Sequence, residues 1–408
     1  MNLFSDTRGN QYTASSQTSV ASMDAVLDAY LGSKAKVMPL LDSLIEVDPQ
    51  MPMAQCLRAY MLKLAGDPRF KGPIGAILAH LTEQARALNP REQLHLSVLT
   101  SWVENQLDDT VKVLELLLSS YPKDMLALRI AHYLHFYAGS AIKMRDSVAR
   151  SAAVWHDTDP YYGYLLGMQS FGLEESGDYA GAEALGRQAI DIDPSDIWAS
   201  HAVTHVLQMQ QRYSEGIPWI ESLAPHWGTT NNIAYHLYWH KALFYLGTGE
   251  LDAALALYDQ HLVDVLTDDF YLDICNAASL LWRLEMLGVN VGQRWHALQS
   301  LSTARITDDE LIFSTLHYLM TPARLNDQPT IDRALEHLRH WSQANTSQGD
   351  ICRDVGLPVA NALINIGLGE SRKAADQLQA VQDKLYLIGG SHAQRDLFTQ
   401  IQHYCATA

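Results

Sequence analysis

The chain predicts an all-α fold made of repeated helix pairs, and three observations carry that prediction. Apolar residues fall at helical spacing along most of the 408 residues, with little strand-like alternation. Short turns built on Gly, Asp and Pro break the pattern at regular intervals. Similar segments then recur: Tyr179, Tyr213 and Leu251 each follow such a turn and open a new helix.

The composition is that of a folded chain, with 48% hydrophobic and 18% charged residues. No apolar run approaches the ~18 residues of a membrane span. The polar start "MNLFSDTRGNQYTASSQTS" lacks the basic-then-apolar layout of an export signal, so a cytoplasmic location is expected. The net charge is -17 and the pI near 5.3, with no run of Lys or Arg. Nucleic acid and anionic membranes therefore make poor partners, which leaves a small polar molecule or a protein partner. Cys56, Cys275, Cys352 and Cys405 are scattered without a C-x-x-C pair, as expected of reduced thiols.

Residues 1–20 are expected to form an irregular arm, and 21–408 a single solenoid. Its clearest unit is "GMQSFGLEESGDYAGAEALGRQAIDIDPSD", 167–196. A first helix, a Gly-Asp-Tyr turn and a second helix with small Ala and Gly residues precede the stop at Pro194, which lacks an N–H and clashes with the turn before it. The layout matches the tetratricopeptide unit of ~34 residues. Segments upstream ("ENQLDDTVKVLELLLSSYP") and downstream ("DQPTIDRALEHLRHW") keep the register. Roughly nine or ten such pairs give a right-handed tetratricopeptide-like superhelix, an α-solenoid. Ser391 and Gln394 form a capping-box sequence that predicts a final capping helix over about 392–404.

Five irregular motifs appear in order: "SHAVTHVLQMQQRYSEGIPWIES", "NNIAYHLYWHKALFYLGTGELDAALALYD", "NAASLLWRLEMLGV", "DVGLP" and "GGSHAQRDLF". Together with the N-terminal "SDTRGNQYTASSQTS" they resemble the tetratricopeptide repeat protein 38 family over essentially the whole chain. The resemblance implies an all-helical repeat fold and supplies no reaction or ligand.

The candidate site therefore rests on residues. His201 and His205 lie four apart on one predicted first helix, and His236 and His240 repeat the spacing 35 positions later. Residues four apart share a helix face, so four imidazoles are expected to point into one region. Asp273 and Asn276, three apart, Asp354, and His392 and Arg395 on the last helix complete the expected ligand-binding set. His201, His205, His236, His240 and Asp273 are also a possible transition-metal donor set. The competing reading is that each histidine is a core residue paired with a backbone carbonyl, Asp273 or Asn276. No Gly-rich phosphate loop indicates a nucleotide cofactor, and no His-Glu-x-x-His supplies a built-in base. Three functions remain open at this point: a small-ligand binder, a metal- or His-based enzyme, and an interaction scaffold. A peptide carboxylate clamp would need Lys or Arg on the first helices, where Lys241 is the main one expected.

Overall fold

The computed structural model describes residues 2–407, and its helices follow the expected order. The one sheet among them corrects the N-terminal reading. Asn2–Ser5 and Gln11–Ala14 pair as an antiparallel hairpin where an irregular arm was expected. The Asp6 carboxylate accepts the backbone N–H of Arg8 (2.8 Å) and Asn10 (2.9 Å), which fixes the turn. Glu92, far along the chain, grips the second strand by accepting both the N–H and the hydroxyl of Thr13, each at 2.7 Å. The Arg91 guanidinium lies 4.4 Å from the ring centre of buried Tyr12.

Helix pairs follow, each closed by the same turn. Ser33, Gly66, Asn105, Gly139, Gly177, Gln211, Gly249, Gly288, Asn326 and Gly369 all have positive φ, and each lies just beyond a first helix. At nine of these ten turns the next residue donates its N–H to the carbonyl five positions back. Examples are Asp178 to Leu173 (2.9 Å), Glu250 to Tyr245 (2.8 Å) and Glu370 to Asn365 (2.8 Å). A left-handed residue lets the chain reverse while satisfying helix-end carbonyls, which is why Gly and Asn dominate these positions. Second helices begin at Tyr179, Tyr213 and Leu251 as expected. The small residues act as predicted: a Cβ on Gly186 would come within 2.5 Å of Val203 and 2.7 Å of the Ser170 hydroxyl. The fold is thus an all-α helical repeat of the solenoid class.

The chain divides into two compact units, where one uninterrupted solenoid was expected. The first takes residues up to Phe136, Ser140–Val206 and Ser222–Ile233. The second takes Tyr137–Gly139, Leu207–Glu221 and everything from Ala234 onward. Its core is continuous from Trp239 to Cys405 and includes Trp282, Trp295, Leu363 and Phe398.

The last helix, His392–Thr407, starts at the predicted capping box. Ser391 N–H donates to Gln394 Oε1 at 2.9 Å, and Gln394 N–H to Ser391 Oγ at 3.2 Å. Beyond packing on Ser371–Val381, it reaches back to the earlier first helix Tyr271–Met286. Leu397, Phe398 and Ile401 are fully buried by that packing. Ser391→Ala is expected to lower the stability of the second unit by about 1 kcal/mol. Urea unfolding followed by tryptophan fluorescence reads this, and an unshifted transition would show that the box does not anchor the helix.

Candidate functional site

In the first unit, the part of the helix Ile197–Met209 up to Val206 contains no Asp, Glu, Lys or Arg and is buried throughout. Asp196 caps it, accepting the N–H of Trp198 and of Ala199 at 3.0 Å each, and burial pushes its carboxyl up to about 6. His201 and His205 lie one turn apart with ring centres 4.3 Å from each other. Phe171 stacks on His201 at 5.4 Å.

His205 also meets two residues that sequence reasoning missed. Its Nδ1 is 3.4 Å from Glu174 Oε2 and 3.8 Å from Glu175 Oε1. All three side chains are at most 3% exposed, and the two carboxylates offer oxygens within 4.8 Å of each other. Glu174 and Glu175 end the helix Tyr162–Glu175. A helix C-terminus carries partial negative charge, so two buried carboxylates there are electrostatically costly and favour a positive charge beside them. The signal was present in the sequence as an acidic pair at the wrong end of a helix.

Two other histidines of this unit behave as core residues. Burial holds the His132 imidazole well below its ordinary range, among Phe171 and Trp198. His135 Nε2 lies 3.0 Å from Glu115 Oε1.

In the second unit, His236 and His240 have ring centres 4.7 Å apart on the helix Ile233–Thr248. Trp239 stacks on His236 at 5.0 Å and 13°. His236 Nδ1 is 2.9 Å from Asn276 Oδ1, so Nδ1 is the donor to the amide oxygen. This contact is of the kind that the core-residue reading of the histidines describes, and Asp273 is buried one turn earlier on the same helix as Asn276. Trp239 Nε1 donates to Ser279 Oγ at 2.9 Å.

The remaining candidates separate. His392 is half-buried at the start of the last helix, and Arg395 donates to the Gly390 carbonyl. Asp354 is a correction. It lies on the π-helical turn Cys352–Gly356, where Cys352, Val355 and Gly356 take the inward positions. Its carboxylate is 45% exposed and pairs with Arg353 at 3.3 Å, so it neither caps a helix nor joins a site.

A third residue missed from sequence is Arg283, on the first helix Tyr271–Met286. It is 3% exposed. Its Nη2 donates to the Ala393 carbonyl at 2.9 Å and its Nη1 to the Ser279 carbonyl at 3.4 Å, with the Trp239 ring centre 5.6 Å away. Burial pulls its pKa down to about 10, partly countered by Asp396. It stays cationic at neutral pH. It lines a cleft of about 550 Å³ with Gln208, Met209, Tyr213, Leu243 and Asp396.

No family model matches the chain. Among solved structures it is similar to a Rap protein complexed with competence and sporulation factor, at 12% identity and a TM-score of 0.40. That match covers 87% of this chain and 94% of the other. It is also similar to Naa15/Naa10 bound to HypK-THB, at 11% identity and a TM-score of 0.28, over 90% of this chain and 64% of the other. Neither likeness bears on ligand, partner or activity.

His317 provides a pH test of the second unit. Burial lowers its pKa from 6.5 to about 4; its bond to the Phe313 carbonyl opposes the shift and Arg283 adds to it. Between those values the unfolded chain binds more protons than the folded one, so His317 costs stability as pH falls from 6.5 towards 4. Unfolding midpoints measured against pH should fall less steeply through that window for His317→Asn than for the parent. Parallel curves would mean that the imidazole is not held neutral.

Proposed function

We propose that this helical-repeat protein binds a small ligand at the buried histidine–carboxylate cluster of its first unit, and that the ligand is a first-row transition-metal ion. The observation that carries this reading is the contact of His205 Nδ1 with both Glu174 and Glu175, each buried. An ion held between His205 Nδ1 and the two carboxylates would have an imidazole nitrogen and carboxylate oxygens as donors, all at one point of the fold. His201 one turn away and the two carboxylates supply further donors suited to zinc, iron or manganese. The ion would also supply the positive charge that two acids at a helix C-terminus favour.

A broad peptide groove is disfavoured in the second unit, because its own last helix packs on Tyr271–Met286 and brings Phe398 to within 5.7 Å of the His317 ring. Membership of the tetratricopeptide repeat protein 38 family and a cytoplasmic location form part of the same proposal. They are supported by the ordered motifs and by the absence, among the described residues, of a helix long and apolar enough to cross a membrane.

Metal content of the untagged full-length chain, measured by inductively coupled plasma mass spectrometry, tests the reading. About one ion per chain is expected, with affinity lowered at least ~10-fold by Glu174→Gln or His205→Ala. Circular dichroism of each variant checks that helix content is kept. His236→Ala/His240→Ala, assayed in parallel, shows whether the second pair contributes donors. A chain that stays metal-free after reconstitution, or one whose metal survives both first-unit changes, would overturn the proposal.

A further inference from the structure

The cleft in the second unit is built around a charge that is expensive to bury. An Arg deep in a protein is stabilised by an ion pair or by a ligand. Arg283 is met instead by two backbone carbonyls and the face of Trp239. Among the described residues no carboxylate lies within ion-pair distance of it. Two of its five N–H groups are occupied by the carbonyls, and the planar fork is suited to a carboxylate.

The surroundings define what such a ligand must look like. The cleft holds about 550 Å³, within the range that small-molecule pockets occupy. Met209, Leu243 and Met286 give it an apolar wall. Asp396, exposed on the first turns of the last helix, lines it too and is electrically coupled to Arg283 without touching it. One cation and one acid cancel, so a simple anion is opposed by Asp396 and a simple cation by Arg283. A molecule that carries both charges is opposed by neither.

We propose that this cleft binds a small zwitterion with an apolar side chain, an α-amino acid or a short peptide, its carboxylate on Arg283 and its ammonium on Asp396. Trp239 and the Ala393 carbonyl hold the guanidinium in place before the ligand arrives, so little ordering is needed on binding. The apolar wall receives the side chain and removes its surface from water. The site lies wholly within the second unit and uses none of the four paired histidines; His403 is the one histidine on its lining.

Isothermal titration calorimetry on the full-length chain tests this with four probes: leucine, Leu-Leu, N-acetyl-leucine and leucinamide. Leucine or Leu-Leu should bind saturably, and each blocked derivative at least ~10-fold more weakly, since each leaves one charged group unpaired. Tighter binding of Leu-Leu identifies a peptide end as the natural ligand, and tighter binding of leucine a free amino acid. Arg283→Gln should abolish binding and Arg283→Lys restore part of it. Because Arg283 also supports the Ala393 carbonyl, the exposed variant Asp396→Asn is the safeguard against misfolding. It should weaken leucine at least ~10-fold while N-acetyl-leucine, no longer opposed by a like charge, binds as tightly as before or more tightly. Absence of saturable heat with every probe, N-acetyl-leucine binding as tightly as leucine, or an Asp396→Asn chain that keeps full leucine affinity would each overturn the proposal.

Discussion

The constraint behind most of this structure is that a helix apolar on every side cannot carry a polar side chain without giving it a partner. An unpaired buried donor or acceptor costs on the order of 1–3 kcal/mol, and a charge more. The first unit meets the constraint with networks. Arg91 donates to Asp124 at 2.7 Å, His95 Nε2 lies 2.9 Å from the same oxygen, and Tyr60 meets His95 Nδ1 at 3.0 Å. The Arg91 guanidinium and the His95 hydrogen bond hold the Asp124 carboxyl well below its usual range despite its burial. The Arg91 guanidinium also donates to the Gln11 carbonyl, so the hairpin is tied to the same network.

Read this way, the histidines fall into two classes. His132 and His317 are held neutral by burial, with His317 bonded to a carbonyl of its own helix, and they do what a core residue does. His205 is set beside two carboxylates at the unfavourable end of a helix, an arrangement that packing alone does not call for. His236 lies between these cases: Asn276 accepts from its Nδ1 and Trp239 stacks on its ring. Repetition of the His-x-x-x-His spacing therefore does not mean repetition of its surroundings.

The helix pairs were legible because their signals are local. A left-handed residue after each first helix and small residues on the second need no knowledge of distant chain, and the Ser391–Gln394 box is complete within four residues. The hairpin was not legible, since Thr13 owes its place to Glu92. Neither was the division into two units, which no Gly- or Pro-rich linker announces. For the candidate site, spacing correctly paired His201 with His205 and His236 with His240. It misplaced Asp354, because a π-helical turn shifts the facing of the residues after it. It passed over Glu174, Glu175 and Arg283, whose meaning depends on how deeply packing buries them.

The return of the last helix is what gives the second unit a cleft of limited size. A helical repeat left open presents its first helices to any long partner. Here Arg283 donates to Ala393, 110 residues further on, so the chain supplies its own occupant for part of that face. The occupant is anchored by apolar residues, Leu397, Phe398 and Ile401, and its charged residue Asp396 is left at the rim of the remaining space. Selectivity then follows from shape and charge together. The helix excludes a long peptide from the stretch it covers, and the opposed charges of Arg283 and Asp396 sort the small molecules that still fit. The same helix that completes the core thus sets the dimensions and the charge pattern of the space beside it.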